Sequence, residues 1–213
     1  MGKRSYHQFC GVARALDLVG ERWTLLIARD LLLGPRRYSE LLSGLPGITT
    51  NLLARRLKDM REDGLIEKVQ LDHKVAAYAL TPLGLELEPV VLSLGRFGER
   101  WLREPRPDDR LDVSWAMVSL RRRYVGTLSG ALGLAIAAPE VKRFQVRFGP
   151  EGVDTRLGSP WDVRTTARFG LPALRGLFFG GASASALEAS GALVVEGERG
   201  SWEAFVEGFG IAP

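Results

Sequence analysis

Five residues between positions 50 and 58, Thr50, Asn51, Ala54, Arg55 and Lys58, could do chemistry together. Their spacing puts them on one face of a helix. They offer a hydroxyl, an amide, a methyl group, a guanidinium and an ammonium, a set suited to reading base edges in the major groove of double-stranded DNA. Around them Arg36, Arg37, Tyr38, Thr49, Arg56, His73 and Lys74 carry donors for phosphate oxygens and are candidate contacts to the DNA backbone. Between positions 34 and 61, Arg36, Arg37, Arg55, Arg56, Lys58 and Arg61 face only Glu40 and Asp59, so a local charge of +4 sits there. Such a patch on a helical unit is the electrostatic footprint of DNA binding. The plain alternative is an amphipathic helix with a solvated face, and the neighbouring elements decide between the two.

Those elements follow from periodicity and punctuation. Thr49 is a good N-cap, and the helix it starts runs to Glu62 with Leu53, Leu57 and Met60 facing inward. Tyr38–Leu45 reads as a short helix closed by Gly44, Pro46 and Gly47. Helix, Gly-containing turn, helix predicts a helix-turn-helix. Upstream, Cys10–Val19 is a helix with Val12, Ala15, Leu16 and Val19 on one side. A second follows from Glu21 to Leu33, carrying Trp23, Leu26, Ile27 and Leu31. Downstream, strands Leu65–Leu71 and Ala76–Leu80 flank the tip Asp72-His73-Lys74, a hairpin long enough to be a wing. One long helix is expected from Thr81-Pro82 to about Leu102.

The whole chain bounds what this unit can be. Its 213 residues are 46% hydrophobic and 25% charged with a net charge of only +4, the composition of a soluble globular protein. No apolar run is long enough to span a membrane, and MGKRSYHQFC lacks the apolar stretch of a secretory signal. A single cysteine excludes an intramolecular disulfide and suits a reducing cytoplasm. His7 and His73 are the two histidines, so no nucleophile–base set is signalled. There is also no metal-ligand spacing, phosphate loop or dinucleotide fingerprint. An enzyme is not expected, nor a cofactor. Cys10 has two readings, a small buried apolar residue or a thiol sensor at a helix N-terminus with Arg14 one turn on.

The sequence divides into residues 1–104, a linker at 105–112 containing PRPDD, and residues 113–213. In the last part Ser114–Tyr124 reads as a helix and Leu132–Ala138 as a buried strand. Arg143–Phe148 and Trp161–Phe169 alternate apolar and polar residues as half-buried strands do. Gly149–Gly152 is a hairpin turn. Leu171–Phe179 and Ala184–Ser190 read as helices, Leu193–Glu196 as a strand, and Ser201–Phe209 as a final helix capped by Ser201. The expected fold is a mainly α winged helix-turn-helix domain followed by an α+β domain.

The strings CGVARALDLVGERWTLLIARDLLLGPRRYSELL, GIT, LLARRLKDMREDGLI and YALTPLGLELEPVV closely resemble the HxlR-type bacterial transcriptional regulators, over roughly residues 6–104. The departures are Gly11, where proline is common, and Glu21-Arg22, where Gly-Lys is usual. The resemblance implies a homodimer built on the first helix and the last long helix, reading an inverted repeat. It also implies that a cysteine at position 10 can sense oxidants or electrophiles. Residues 140–210, most clearly GALVVEGERGSWEAFVEGF, resemble the sterol-carrier-protein type of lipid-binding domain. That likeness implies an apolar cavity for a small hydrophobic ligand, with Trp115, Phe178, Phe179, Trp202, Phe205 and Phe209 as candidate lining residues. The alternative is that these aromatics pack a core.

Overall fold

The computed structural model describes residues 5–71, 74–102, 106, 108–110, 112–159 and 161–213. The chain forms two compact units, residues 1–110 and 111–213.

The first unit begins with α1 (Gly11–Val19) and α2 (Thr24–Leu31). The second helix starts three residues later than expected because Trp23 takes φ +83°, a left-handed conformation that cannot continue a right-handed helix. Next come α3 (Tyr38–Gly44) and α4 (Thr50–Glu62), with the Thr49 hydroxyl accepting from the Leu52 N–H at 3.3 Å. Strands β1 (Ile66–Leu71) and β2 (Val75–Leu80) pair antiparallel, Ile66 opposite Leu80 and Leu71 opposite Val75. Leu53, Leu57 and Met60 of α4 join Ile27, Leu31, Leu41, Leu45 and Ile66 in one core.

The long helix expected over residues 81–102 is broken. It is replaced by α5 (Pro82–Leu85), α6 (Glu88–Gly98) and a 3₁₀ turn, Glu99–Trp101. Pro89 has no N–H to give to the Leu85 carbonyl, so the hydrogen-bond ladder fails there. Thr81 caps α5 by accepting from Gly84 N–H at 3.1 Å and donates to the Gly64 carbonyl at 2.6 Å. Gly84 is required at this joint, since a Cβ there would lie 1.9 Å from the Leu65 carbonyl oxygen. The apolar side expected for α1 is only partly covered. Ala13 and Val19 are buried, while Val12 and Leu16 are exposed. Helix α6 buries no residue at all: Val90, Leu94 and Phe97, with Trp101 just beyond, are 46%, 52%, 56% and 63% exposed.

The second unit is α+β, as expected. Helix α7 (Val113–Leu120) ends four residues earlier than the sequence suggested. Arg121 turns instead to strand β5 (Gly152–Leu157), donating to Thr155 Oγ1 at 3.0 Å, the Thr155 carbonyl at 2.8 Å and Asp154 at 2.9 Å. Strands β3 (Gly130–Ala137), β4 (Val141–Gly149), β6 (Thr165–Gly170) and β7 (Leu193–Gly197) complete one sheet in the order β5-β4-β3-β6-β7. Only β3 and β6 run parallel. Strand β5 was not foreseen beyond its turn. The strand expected from Trp161 starts only at Thr165, because Trp161 is fastened to Gln145. Helices α8 (Leu171–Phe179), α9 (Ala184–Ala189) and α10 (Arg199–Gly208) follow the sheet's crossover and close the unit. Ser201 is not the cap of α10, which starts after Glu198.

Three of the six aromatic residues expected to line a cavity pack against one another. Trp202, Phe205 and Phe209 are buried, with ring centroids 5.6 Å apart for Trp202–Phe205 and 4.4 Å for Phe205–Phe209. Phe178 and Phe148 stand edge-on to Phe205 at 6.2 and 5.8 Å. Leu132, Leu134, Val146 and Ala167, on the face of the sheet that Phe148 shares, are among its most buried residues. Such packing is what large apolar rings gain most from. Trp115 is half-buried on α7, and the side chain of Phe179 lies outside the described residues.

Asp112 secures the start of this unit. Its carboxylate caps α7 by accepting from Ser114 N–H at 2.8 Å and takes both oxygens to Lys142 Nζ, at 2.7 and 2.9 Å. Burial alone would raise its pKa, but the hydrogen bonds from Lys142 and Ser114 hold the carboxyl below its usual value. Its contribution to stability is therefore present above the unfolded Asp range and lost as pH falls through the lowered folded value. Asp112→Ala is expected to cost about 1–2 kcal/mol at neutral pH. Urea melts of variant and wild type should converge in acid, once pH has fallen below the lowered folded value.

Candidate nucleic-acid interface

The helix-turn-helix is set by a few contacts. Tyr38 donates its hydroxyl to the Thr50 carbonyl at 2.8 Å, tying the start of α3 to the start of α4. Glu40 accepts from the Arg37 main-chain N–H at 2.7 Å and from its guanidinium at 3.0 Å, closing a capping box on α3. Burial pushes the Glu40 pKa up, but these hydrogen bonds and the charges of Arg37 and Arg36 bring it below the usual carboxylate range. Arg36 bridges to the wing through its main chain, donating to Tyr78 O at 2.9 Å and accepting from Tyr78 N at 2.8 Å. The wing is thus attached directly to the residue preceding the Arg37 cap.

On α4, burial of Leu53, Leu57 and Met60 leaves Thr50, Asn51, Ala54, Arg55 and Lys58 exposed together. Arg55 is 4.0 Å from Asp59 and Lys58 is 3.7 Å from Glu62, with side-chain exposures of 62% and 73% for the two cations. Pairs so long and exposed hold little energy, so both cations are available to a polyanion. Thr49 and Arg37 are exposed beside them, and Arg36 and Tyr38 are half-buried. Lys74 is exposed at the end of the wing with φ +61°. Asp72 and His73 lie outside the described residues.

Arg56 does not belong to this surface. Its side chain is 10% exposed and points inward, donating to Glu21 Oε2 at 2.9 Å and Asp59 Oδ2 at 3.0 Å. Its Nε is buried with no partner among the described residues. One residue further round the helix than Arg55, it faces the first turn region instead of solvent. Its expected contact to the DNA backbone is withdrawn, and Arg56 becomes a brace between α4 and the α1–α2 connection. Sequence reasoning missed this brace because Glu21 stands 35 residues away.

Cys10 is exposed in the single chain as the N-cap of α1. Hydrogen bonds from the Ala13 and then the Val12 main-chain N–H lower its pKa. The expected help from Arg14 is not seen, as its guanidinium lies 3.5 Å from Asp17. Among the described residues no helix is long and apolar enough to cross a membrane. Nor does any group of three or more His, Cys, Asp or Glu there suit a metal ion.

Known proteins resemble the first unit. Residues 18–106 match the family described as HxlR-like helix-turn-helix. An uncharacterized HTH-type transcriptional regulator of Synechocystis is 33% identical over 98 residues, 45% of this chain and 72% of that protein. One from Mycobacterium tuberculosis is 42% identical over 106 residues, 48% of this chain and 65% of its own length. YkvN of Bacillus subtilis, of the same description, is 33% identical over 107 residues and 90% covered. Among solved structures, the reduced transcriptional regulator YodB of B. subtilis is 27% identical with a TM-score of 0.39, covering 46% of this chain and 100% of that one. The redox regulator HypR in its oxidized form is 29% identical with a TM-score of 0.40, covering 43% and 96%. By its first unit the chain belongs to the HxlR-like helix-turn-helix family, whose relatives here are described as transcriptional regulators.

Proposed function

We propose that the protein is a homodimer that binds an inverted-repeat operator in double-stranded DNA. In this reading α4 lies in the major groove, and Thr50, Asn51, Ala54, Arg55 and Lys58 read base edges. Arg36, Arg37, Tyr38, Thr49, His73 and Lys74 hold the phosphates. The observation that carries the reading is the exposed polar face of α4, turned outward by three buried residues and flanked by a wing. The dimer contact is assigned to α1 and α6, whose apolar side chains are open in the single chain. A stripe of Val90, Leu94, Phe97 and Trp101 is too apolar to face water alone. The second unit is assigned a regulatory role. Its sheet with covering helices supports the likeness to the sterol-carrier type, but the solid packing of its aromatics leaves no role for them as a lipid cavity.

Cys10 favours a second reading, in which the signal is an oxidant or electrophile and the second unit is a structural or dimerisation module. The thiol is exposed and its pKa is lowered by two main-chain donors, so its thiolate is accessible.

Gel shifts on the intergenic DNA beside the gene test the first reading. Arg55→Ala should lower affinity for the specific site by about 1–3 kcal/mol and leave random DNA nearly unchanged. Arg37→Ala should weaken binding to both and reduce the salt slope by about one. Equal losses on both DNAs for the two variants would remove the division of roles. Arg56→Ala should instead destabilise the folded unit by about 3 kcal/mol, read in a thermal melt. Leu94→Glu should yield a monomer by sedimentation and abolish tight operator binding. A dimer unchanged by that variant would move the interface elsewhere. For the second reading, diamide should release DNA from the wild type but not from Cys10→Ser, and an identical response in both would eliminate the thiol as sensor.

A further inference from the structure

The face of the C-terminal sheet opposite its aromatic core is not flat. On that face the central strand β3 carries only Ala131, Gly133, Ala135 and Ala137, the first three in register with Arg147, Gln145 and Arg143 of β4. On its other side Gly133 and Ala135 are in register with Thr166 and Arg168 of β6. Small residues between long ones leave a trough along β3.

A loop roofs this trough and is fastened from below. The Gln145 carboxamide, itself buried, donates Nε2 to the Trp161 carbonyl at 2.7 Å and accepts from the Trp161 N–H at 2.6 Å. The Arg147 guanidinium lies 4.2 Å from the centre of the Trp161 ring. A buried side-chain amide committed at both ends to one loop residue fixes that loop in place. The half-open space is about 290 Å³, at the small end of natural ligand pockets.

Charge selects the occupant. Arg143 and Arg168 border the space against one carboxylate, Asp162. Arg168 already shares its charge with Glu196 at 2.8 Å. Arg143 is exposed and its guanidinium has no ion-pair partner among the described residues. A free guanidinium fork beside a polar wall matches a planar carboxylate with two parallel hydrogen bonds. The glycine and alanine floor leaves room for a flat body behind it, with Trp161 and Val163 among the other lining residues.

We propose that this trough binds a small organic carboxylate, held by Arg143 with its body between Gly133, Ala135 and Trp161. The site stands on the geometry of the second unit alone. It gives the proposed regulator a ligand, but its test reads binding directly, so failure of the DNA-binding reading would leave it standing.

The test titrates benzoate into the full-length ¹⁵N-labelled protein and follows the indole N–H resonance of Trp161, assigned with Trp161→Phe. A saturable shift is expected with benzoate and none with benzyl alcohol, its neutral counterpart. Arg143→Gln and Gly133→Val should each weaken binding by about tenfold or more. A Cβ at Gly133 would meet Thr166 Oγ1 at 3.0 Å, so that variant narrows the trough. Arg143→Gln breaks no ion pair among the described residues and keeps the test decisive if Gly133→Val fails to fold. No shift at millimolar benzoate, an equal shift with benzyl alcohol, or unchanged affinity in Arg143→Gln would overturn the proposal. So would tighter binding of inorganic phosphate than of benzoate.

Discussion

Leu53, Leu57 and Met60 sink into the core at spacings of four and three, and that burial fixes the rotation of α4 about its own axis. A helix free to roll by one residue, about 100°, could carry Arg55 to the inward place of Arg56. Three large side chains in a close-packed core make such a roll costly. Everything on the outer face of α4 follows from it. The Tyr38 hydroxyl and the Arg56 brace then fix what rotation leaves open, the position of the helix along and across its own axis.

The first unit was legible in the sequence where its signals are local. Thr49, the Leu53–Leu57–Met60 stripe and the glycines after α3 each act within a turn or two of their own position, so spacing alone located them. Pro89 is also a local signal, but the apolar repeat from Leu83 to Trp101 outweighed it and suggested one unbroken helix. Arg56 was illegible for a different reason. Its neighbours on the helix made it look like one more surface cation, and only the fold brings Glu21 to it. Tyr78 was hidden likewise, since its link to Arg36 is made by main-chain atoms that any residue carries.

In the second unit, alternation located β4 and the later part of β6 but said nothing of which neighbour each would take. The same alternation misled at Trp161, which has the right parity for a strand yet is held out of the sheet by a side chain on β4. Gln145 itself was read as an outward polar residue. It is outward from the aromatic core and buried all the same, because a loop covers it. The aromatic residues illustrate a further limit. Ring type and helical spacing are identical for a cavity wall and for a packed core, and only the mutual distances of Phe205, Phe209 and Trp202 separate them.

The interruption between α5 and α6 has a mechanical consequence. An unbroken helix from Pro82 to Trp101 would be a stiff rod, transmitting any tilt at one end to the other. Two turn residues and Pro89 divide it, so α5, held by Gly84 on the Leu65 carbonyl and by the Thr81 cap, need not carry α6 with it. In a dimer joined through α6, this joint would act as the elbow that determines how far apart two α4 helices stand. The span between the two reading heads would then depend on residues outside the reading face.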